Sequence, residues 1–344
     1  MYQETLFEEA EYVKGYRIAI IGATGMVGRT ILKVLEERDF PIGELFLLAS
    51  ERSEGKTLTF KGKEYIVERL TENSFDKGLD IALFSAGGDT SRKFAPIAAA
   101  KGVVVVDNSS AWRMEKDIPL VVPEVNPGDV KKHKGIIANP NCSTIQAVVA
   151  LKPLQDRYGI ERVVFSTYQA VSGSGYKGVK DLNDGLLGKG PALYPHPIVN
   201  NCLPHIDIFL DNDYTREEMK MIDETRKILG DEKLRITATT VRVPVEKSHS
   251  ESMNVELKKP FKTEALKELL ANSPGIKLLD DPCSNLYPLA TVAADTDLVY
   301  VGRVRRDESI DSGVNLWVVA DNVRKGAATN AVQIAELVIT QDSK

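Results

Sequence analysis

Tyr16-Arg-Ile-Ala-Ile-Ile-Gly22-Ala-Thr-Gly25-Met-Val-Gly28 is an apolar run that breaks at a glycine turn. Residues 16–21 are short and almost wholly apolar, which is the composition of a strand buried on both faces. Val27, Ile31, Val34 and Leu35 then recur at helical spacing. The stretch therefore reads as strand, tight turn, helix. Further apolar runs lie at 45–49, 81–85, 103–106 and 136–138, separated by helical stretches such as 90–101. Strands alternating with helices predict a doubly wound parallel sheet with right-handed crossovers, the Rossmann-like arrangement. Its span is 16–139, and an amphipathic helix in the C-terminal segment 326–344 returns to it.

The pattern changes after Asn139-Pro140-Asn141-Cys142. A helix is predicted over 143–158, followed by longer alternating strands at 162–171, 235–245, 252–258, 298–305 and 314–320. Hairpin-length connections among them predict a second, α+β domain with a mainly antiparallel or mixed sheet over 140–325. The Gly-, Pro- and Asn-rich stretch 184–204 reads as a long surface loop. Residues 1–15 form an acidic extension whose four Glu and missing apolar core argue against a signal peptide.

A length of 344 residues suits two domains, and 43% hydrophobic with 27% charged residues is ordinary globular composition. The net charge of -5 leaves no basic excess for nucleic acid or an anionic membrane surface, so any bound anion must meet a local cluster. No apolar run approaches the ~18–20 residues of a membrane span, and a cytoplasmic protein is expected. Cys142, Cys202 and Cys283 are far apart and lack a CxxC pair, which points to free thiols. His196, Cys202 and His205 fit no usual zinc spacing, so no metal is expected.

Two glycine patterns compete for a phosphate-binding role. Gly173-Ser-Gly175-Tyr-Lys-Gly178 matches GxGxxG literally, yet Gly185, Gly188, Gly190, Pro191 and Pro195 follow and no strand–helix–strand unit completes it. Gly22, Gly25 and Gly28 depart from that spelling but stand between a first strand and its helix. That context favours a dinucleotide pyrophosphate resting on the helix N-terminus; the alternative is a tight turn without a ligand. The second strand ends in Ser50-Glu51-Arg52-Ser53. Arg52 between two serines favours the 2'-phosphate of NADP, whereas Glu51 would favour the ribose diol of NAD. A solvated mixed-charge turn is the third reading.

Cys142 stands at the start of the helix predicted over 143–158, where free N–H groups and the dipole lower a thiol pKa. A reactive nucleophile and a buried inert Cys are both compatible with that position. Asn141 adds an amide donor beside it. Arg242 and His249 flank Pro244-Val-Glu-Lys, and a hairpin there would join a carboxylate-holding cation to a proton-moving imidazole. The helix of 215–229 opens with a capping box, Thr215 and Glu218. Met219, Ile222 and Leu229 read as its inner stripe, while Glu217, Lys220 and Glu224 are spaced for solvent-face ion pairs. In Asn108-Ser-Ser-Ala-Trp-Arg113 the arginine either meets an anion or merely closes a turn.

Together these residues resemble the aspartate-β-semialdehyde dehydrogenase family from about Tyr16 to Gln341. The likeness is carried by Gly-Ala-Thr-Gly-Met-Val-Gly, Ser-Ser-Ala-Trp-Arg, Asn-Pro-Asn-Cys-Ser-Thr, Tyr-Gln-Ala-Val-Ser-Gly-Ser-Gly and Arg-Val-Pro-Val-x-x-x-His. The resemblance implies Cys142 as the acyl-accepting nucleophile, Gln169 as its orienting partner and His249 as acid/base. It implies Arg242 on the substrate carboxylate, Glu217 on its amino group, Arg113 with Lys220 at the phosphate, and Asn141 in the substrate site. Gly22, Thr24, Gly25, Met26, Val27, Gly28, Ser50, Arg52, Ser53, Ser172, Gly173 and Asn322 fall on the NADP contacts. The implied reaction is NADPH-dependent conversion of β-aspartyl phosphate to aspartate β-semialdehyde and phosphate, through a cysteine thioester, for lysine, threonine, methionine and diaminopimelate synthesis. A homodimer formed through the second domain is implied as well. The rivals are N-acetyl-glutamyl-phosphate reductase and a non-catalytic NADP(H)-binding sensor.

Overall fold

The computed structural model describes residues 15–342, so the expectation for the acidic extension falls outside it except at Gly15. The chain begins with β1 (Tyr16–Ile21), α1 (Met26–Glu37) and β2 (Ile42–Ala49), then β3 (Thr57–Phe60) and β4 (Lys63–Arg69). It continues through β5 (Ile81–Phe84), α2 (Gly88–Ala100), β6 (Val104–Asp107) and β7 (Ile136–Ala138). The sheet order is β3-β4-β2-β1-β5-β6-β7, with β1 parallel to both β2 and β5. The strand order therefore reverses at β1, which opens a crevice at the carboxyl ends of β1 and β5.

Both faces of this sheet are covered, which is why its strands read as continuous apolar runs. Ile18, Ile20, Ile81 and Leu83 pack against Ile31 and Leu35 of α1 on one face. Ala19, Ile21, Ala82 and Phe84 pack against Ala95 and Ala98 of α2 on the other. The β3–β4 hairpin is absent from the apolar-run reading because β3 is the edge strand and its neighbour β4 buries only Val67. It turns at Lys61 and Gly62, both at positive φ.

The second half comprises α3 (Cys142–Tyr158), β8 (Ile160–Gln169), α4 (Gly175–Leu186), α5 (Arg216–Leu229), β9 (Arg235–Arg242) and β10 (His249–Leu257). There follow α6 (Thr263–Ala271), β11 (Ile276–Leu278), α7 (Ala290–Ala293), β12 (Val299–Asp307) and β13 (Gly313–Ala320). Its sheet has the order β11-β12-β13-β10-β8-β9; β8 is parallel to β9 and antiparallel to β10, so the sheet is mixed. The α3 helix crosses its inner face against Val163, Phe165, Met253, Val255 and Leu316. Every residue of α3 from 143 to 151 is buried, rather than the one apolar face that Ile145, Val148 and Val149 marked. A π-helical turn, Arg324–Ala328, leads into α8 (Thr329–Asp342), whose Ala331, Ala335 and Val338 join the core of the first sheet.

Two local expectations are corrected. A helix, α4, does open at the second glycine pattern, so the stretch 184–204 starts inside a helix instead of a loop. Gly178 is small because a Cβ there would come within 2.1 Å of the Val171 carbonyl oxygen, a packing demand of the preceding turn. The second correction concerns Arg242 and His249, whose strands form no hairpin: β8 lies between β9 and β10, with Gln169 paired to Arg242 on one side and Tyr168 to Ser250 on the other.

Candidate active site

Two cavities lie along the crevice and share Ser85. The outer one, of 470 Å³, is lined by Gly22, Thr24, Gly25, Ser50 and Arg52. Gly22 takes φ +87°, and a Cβ on it would press to 2.3 Å from the Ser85 carbonyl oxygen, so only glycine lets the chain leave β1 this way. Gly25 is the N-cap of α1 and supplies no side-chain cap, leaving the first N–H groups of that helix to an anion. Gly28 packs onto the Gly22 carbonyl. Thr24 Oγ1 donates to Ser53 Oγ at 3.1 Å. Glu51 is turned toward Arg69, 3.1 Å away, whereas Arg52 lines the cavity with no acidic partner among the described residues. The cradle thus fits a dinucleotide, and its free cation fits a 2'-phosphate.

The inner cavity, of 350 Å³, collects Arg113, Asn141, Cys142, Gln169, Glu217, Lys220 and Arg242, and Val27, Ser172, Gly173 and Asn322 line it as well. Met26 instead borders a neighbouring cavity, which Ser172 also lines. Ser172 Oγ donates to Asn322 Oδ1 at 3.1 Å, and the same oxygen accepts the Ser248 N–H at 3.0 Å. Residues from both halves of the chain therefore meet in one site.

Cys142 is the first residue of α3 and Asn141 its N-cap, whose Oδ1 accepts the N–H groups of Ser143 and Thr144. Asn141 Nδ2 donates to Glu217 Oε1 at 2.9 Å, and Gln169 Nε2 donates to the same oxygen at 3.1 Å. Lys220 Nζ bridges Glu217 and Asp207 at 3.0 and 2.9 Å. Burial raises the Glu217 carboxyl, but Lys220 and these amide donors more than reverse it, to about 2. Glu217 is thus a buried anion prepared for a cation.

A helix start predicts a depressed Cys142 thiol, and the structure corrects this. Burial pushes the thiol up to about 12 and Glu217 adds to the rise, against the pull of Arg242, Arg113 and Lys220. The thiol rests protonated.

His249 is fully buried behind the cavity wall rather than on it. A Cβ on Gly173 would sit 2.7 Å from Arg242 Nη1 and 3.4 Å from His249 Nε2, so the missing side chain leaves room in front of both. Nδ1 accepts the Ala170 N–H at 2.9 Å, and Nε2 has no partner. Burial, with Arg242, pushes the imidazole down to about 3. The ring is neutral and its proton is on Nε2. Arg242 Nη1 donates to the Ala170 carbonyl at 2.6 Å, while its buried Nε is unpartnered.

The solvent-face reading of α5 is overturned: Glu217, Glu218 and Glu224 are buried together with Met221, Ile222 and Ile228. The capping box sets the start of α5, and the expected stripe faces inward, with Ile222 in the core and Met219 and Leu229 packed against it; the buried face is simply wider, because the carboxylates of Glu217, Glu218 and Glu224 find partners inside. Glu224 is the residue the sequence reading missed. Its oxygens accept Arg113 Nη1 at 3.0 Å and the Asn141 N–H at 2.6 Å. Its sequence signal was an acid at i+7 from Glu217, two turns on along the same face. Gly326 was missed as well; a Cβ there would lie 2.9 Å from Cys142 Cβ. Among the described residues no group of His, Cys, Asp or Glu is arranged to hold a metal, and no helix is long and apolar enough to cross a membrane.

Residues 17–133 match the family model for the semialdehyde dehydrogenase NAD binding domain, and 151–325 match that for the semialdehyde dehydrogenase dimerisation domain. The aspartate-semialdehyde dehydrogenase of Aquifex aeolicus is 60% identical over 337 residues, covering 95% of this chain and 99% of that protein. The crystal structure of aspartate semialdehyde dehydrogenase II from Vibrio cholerae superposes with TM-score 0.92 at 52% identity, covering 95% and 99%. A Candida albicans aspartate semialdehyde dehydrogenase structure with NADP gives TM-score 0.76 at 25% identity over 96% and 99%.

Proposed function

The chain belongs to the aspartate-semialdehyde dehydrogenase family of nicotinamide-dependent oxidoreductases, and we propose that its inner cavity reduces β-aspartyl phosphate to aspartate β-semialdehyde with NADPH. The observation that carries this reading is the arrangement around Cys142 of one buried anion, Glu217, and three cations, Arg113, Lys220 and Arg242. A substrate bearing an ammonium, a carboxylate and a phosphoryl group matches that set charge for charge.

Glu217 receives the α-amino group and Arg242 the α-carboxylate, through its unpartnered Nε and remaining N–H groups. Arg113 and Lys220 hold the phosphoryl group and neutralise it as it leaves. Cys142 attacks the acyl carbon as its thiol proton passes to the departing phosphate; a C–S bond forms, the C–O bond to phosphate breaks, and hydrogen phosphate leaves. Gln169 and Asn141 hold Glu217 and with it the substrate's orientation. The Nε2–H of His249 serves as proton donor to the oxygen on which charge develops, since the Ala170 N–H keeps Nδ1 occupied. Action as a base at Nε2 would first require the ring to give up that contact. Thr24, Gly25, Val27, Ser50, Arg52, Ser53, Ser172, Gly173 and Asn322 hold the cofactor, with Met26 and Gly28 shaping its turn. NADPH, when bound, supplies the hydride that reduces the thioester carbon and lets sulfur leave.

By this reading 16–139 with 326–344 forms the cofactor domain and 140–325 the catalytic and dimerisation domain. The protein works as a cytoplasmic homodimer feeding lysine, threonine, methionine and diaminopimelate synthesis. An exposed Tyr168, its ring tilted against that of Trp317 with centroids 5.5 Å apart, supports pairing through the second sheet.

The test is phosphate-dependent reduction of NADP by the purified protein with aspartate semialdehyde, run beside N-acetylglutamate semialdehyde. Only the first substrate should turn over, and Cys142→Ala should abolish the rate while NADP affinity persists. Turnover of the acetylated substrate, absence of turnover with either, or residual activity in the variant would each sink the proposal.

A further inference from the structure

One stripe of α5 carries Glu217, Lys220, Glu224 and Lys227 at spacings that place them on the same helical face. Its first two members touch the proposed substrate site directly. The other two reach the loop that carries Arg113. Lys227 Nζ donates to the carbonyl oxygens of Arg113, Glu115 and Ile118 at 2.6, 2.8 and 2.9 Å, which uses all three of its N–H groups. Glu224, only 1% exposed, binds the Arg113 guanidinium with one oxygen and the backbone N–H of Asn141 with the other. That N–H belongs to the N-cap of α3, one residue before the nucleophile.

We infer that Glu224 is a positioning residue that sets the phosphate-binding arginine and the nucleophile in a common register. The inference rests on the assignment of Arg113 to the phosphoryl group. Arg113 has five N–H groups. Nε goes to the Asn139 carbonyl at 3.0 Å, one on Nη1 to Glu224, and one on Nη2 to the Asn108 carbonyl at 2.8 Å. One N–H on each terminal nitrogen is left, and Arg113 borders the cavity. This pair is the fork that a phosphoryl group accepts. Without Glu224 the guanidinium keeps its carbonyl contacts but loses the restraint that turns the fork inward.

Both oxygens of Glu224 accept hydrogen bonds, so glutamine is not an isostere here. Its amide nitrogen would face either the Asn141 N–H or an Arg113 N–H, donor against donor. Burial raises the Glu224 carboxyl above its ordinary value, and Arg113 with the Asn141 N–H reverses only part of that rise. A buried ion pair is a poor source of net stability because desolvation cancels its attraction, which leaves geometry as its contribution.

The experiment compares full-length wild type, Glu224→Gln and Glu224→Asp in the phosphorylating direction, varying inorganic phosphate at saturating NADP and aspartate semialdehyde. Glu224→Gln should raise KM for phosphate roughly tenfold or more and lower kcat, as the loss of one charge-assisted bond implies. NADPH affinity, read by fluorescence titration, should stay unchanged. Glu224→Asp, which retains the charge but reaches one partner, should recover part of the loss, and it decides the matter if the Gln variant does not fold. An unchanged phosphate KM overturns the inference. So does a fall in which phosphate KM, NADPH affinity and melting temperature all worsen together, since that marks a purely structural role. Should wild type itself show no phosphate dependence, the assignment of Arg113, rather than of Glu224, has failed.

Discussion

Arg242→Lys isolates the proposed carboxylate contact, because it keeps the charge and changes only its shape. Arg242 ends β9, is 5% exposed, and spends one N–H on the Ala170 carbonyl at 2.6 Å. Its Nε and the rest of its fork remain for a carboxylate, and Gly173 has no side chain to block the approach. A lysine ammonium is a point charge whose nearest acceptor is that same carbonyl, so a second parallel bond to the substrate is lost. One charge-assisted hydrogen bond is worth about 1.5–3 kcal/mol, which corresponds to roughly ten- to a hundredfold or slightly more in kcat/KM for aspartate semialdehyde. The contact is buried, so salt should leave the effect nearly intact. Initial rates at varied aldehyde, with NADP and phosphate saturating, measure it, and NADPH binding serves as the control. A loss in kcat/KM below about threefold, or an equal loss of cofactor affinity, would refute the assignment.

Cofactor choice should turn on Arg52, since Glu51 is engaged with Arg69. Arg52→Ala should lower the NADP to NAD preference in kcat/KM by about tenfold, through weaker NADP use alone, and an unchanged ratio would return the decision to another group. Acid stability should carry the mark of His249. Its folded pKa of about 3 lies below the unfolded value near 6.5, so the unfolded chain takes up a proton that the folded one refuses. Its stabilisation is complete above about pH 6.5 and is lost progressively toward pH 3, at about 1.4 kcal/mol per pH unit. Urea unfolding should therefore show about 2 kcal/mol lost from this group between pH 6.5 and 5, and much less in His249→Asn. Equal losses in both proteins would mean that the buried imidazole does not govern this range.

The parts legible in the sequence are those where one local rule acts alone. A strand covered on both faces must be apolar throughout, so β1 and its parallel neighbours announce themselves, and the turn after β1 needs Gly22 for its φ. The β3–β4 hairpin escaped because an edge strand needs few apolar residues, and α4 escaped because close packing demanded glycines that local propensity counts as breakers. Family motifs named most of the candidate site without saying how its members touch.

The sequence by itself determined the alternation that makes the first sheet, the dinucleotide turn, the capped start of α5 and the position of Cys142 at a helix end. Tertiary structure alone decided that α5 turns its carboxylates inward, that β8 separates Arg242 from His249, and that the thiol rests protonated. The physical reason is that burial and pairing join residues far apart in the chain. Glu224 is an ordinary surface acid by local spacing and becomes a buried bridge only because the Arg113 loop and the N-terminus of α3 close over it.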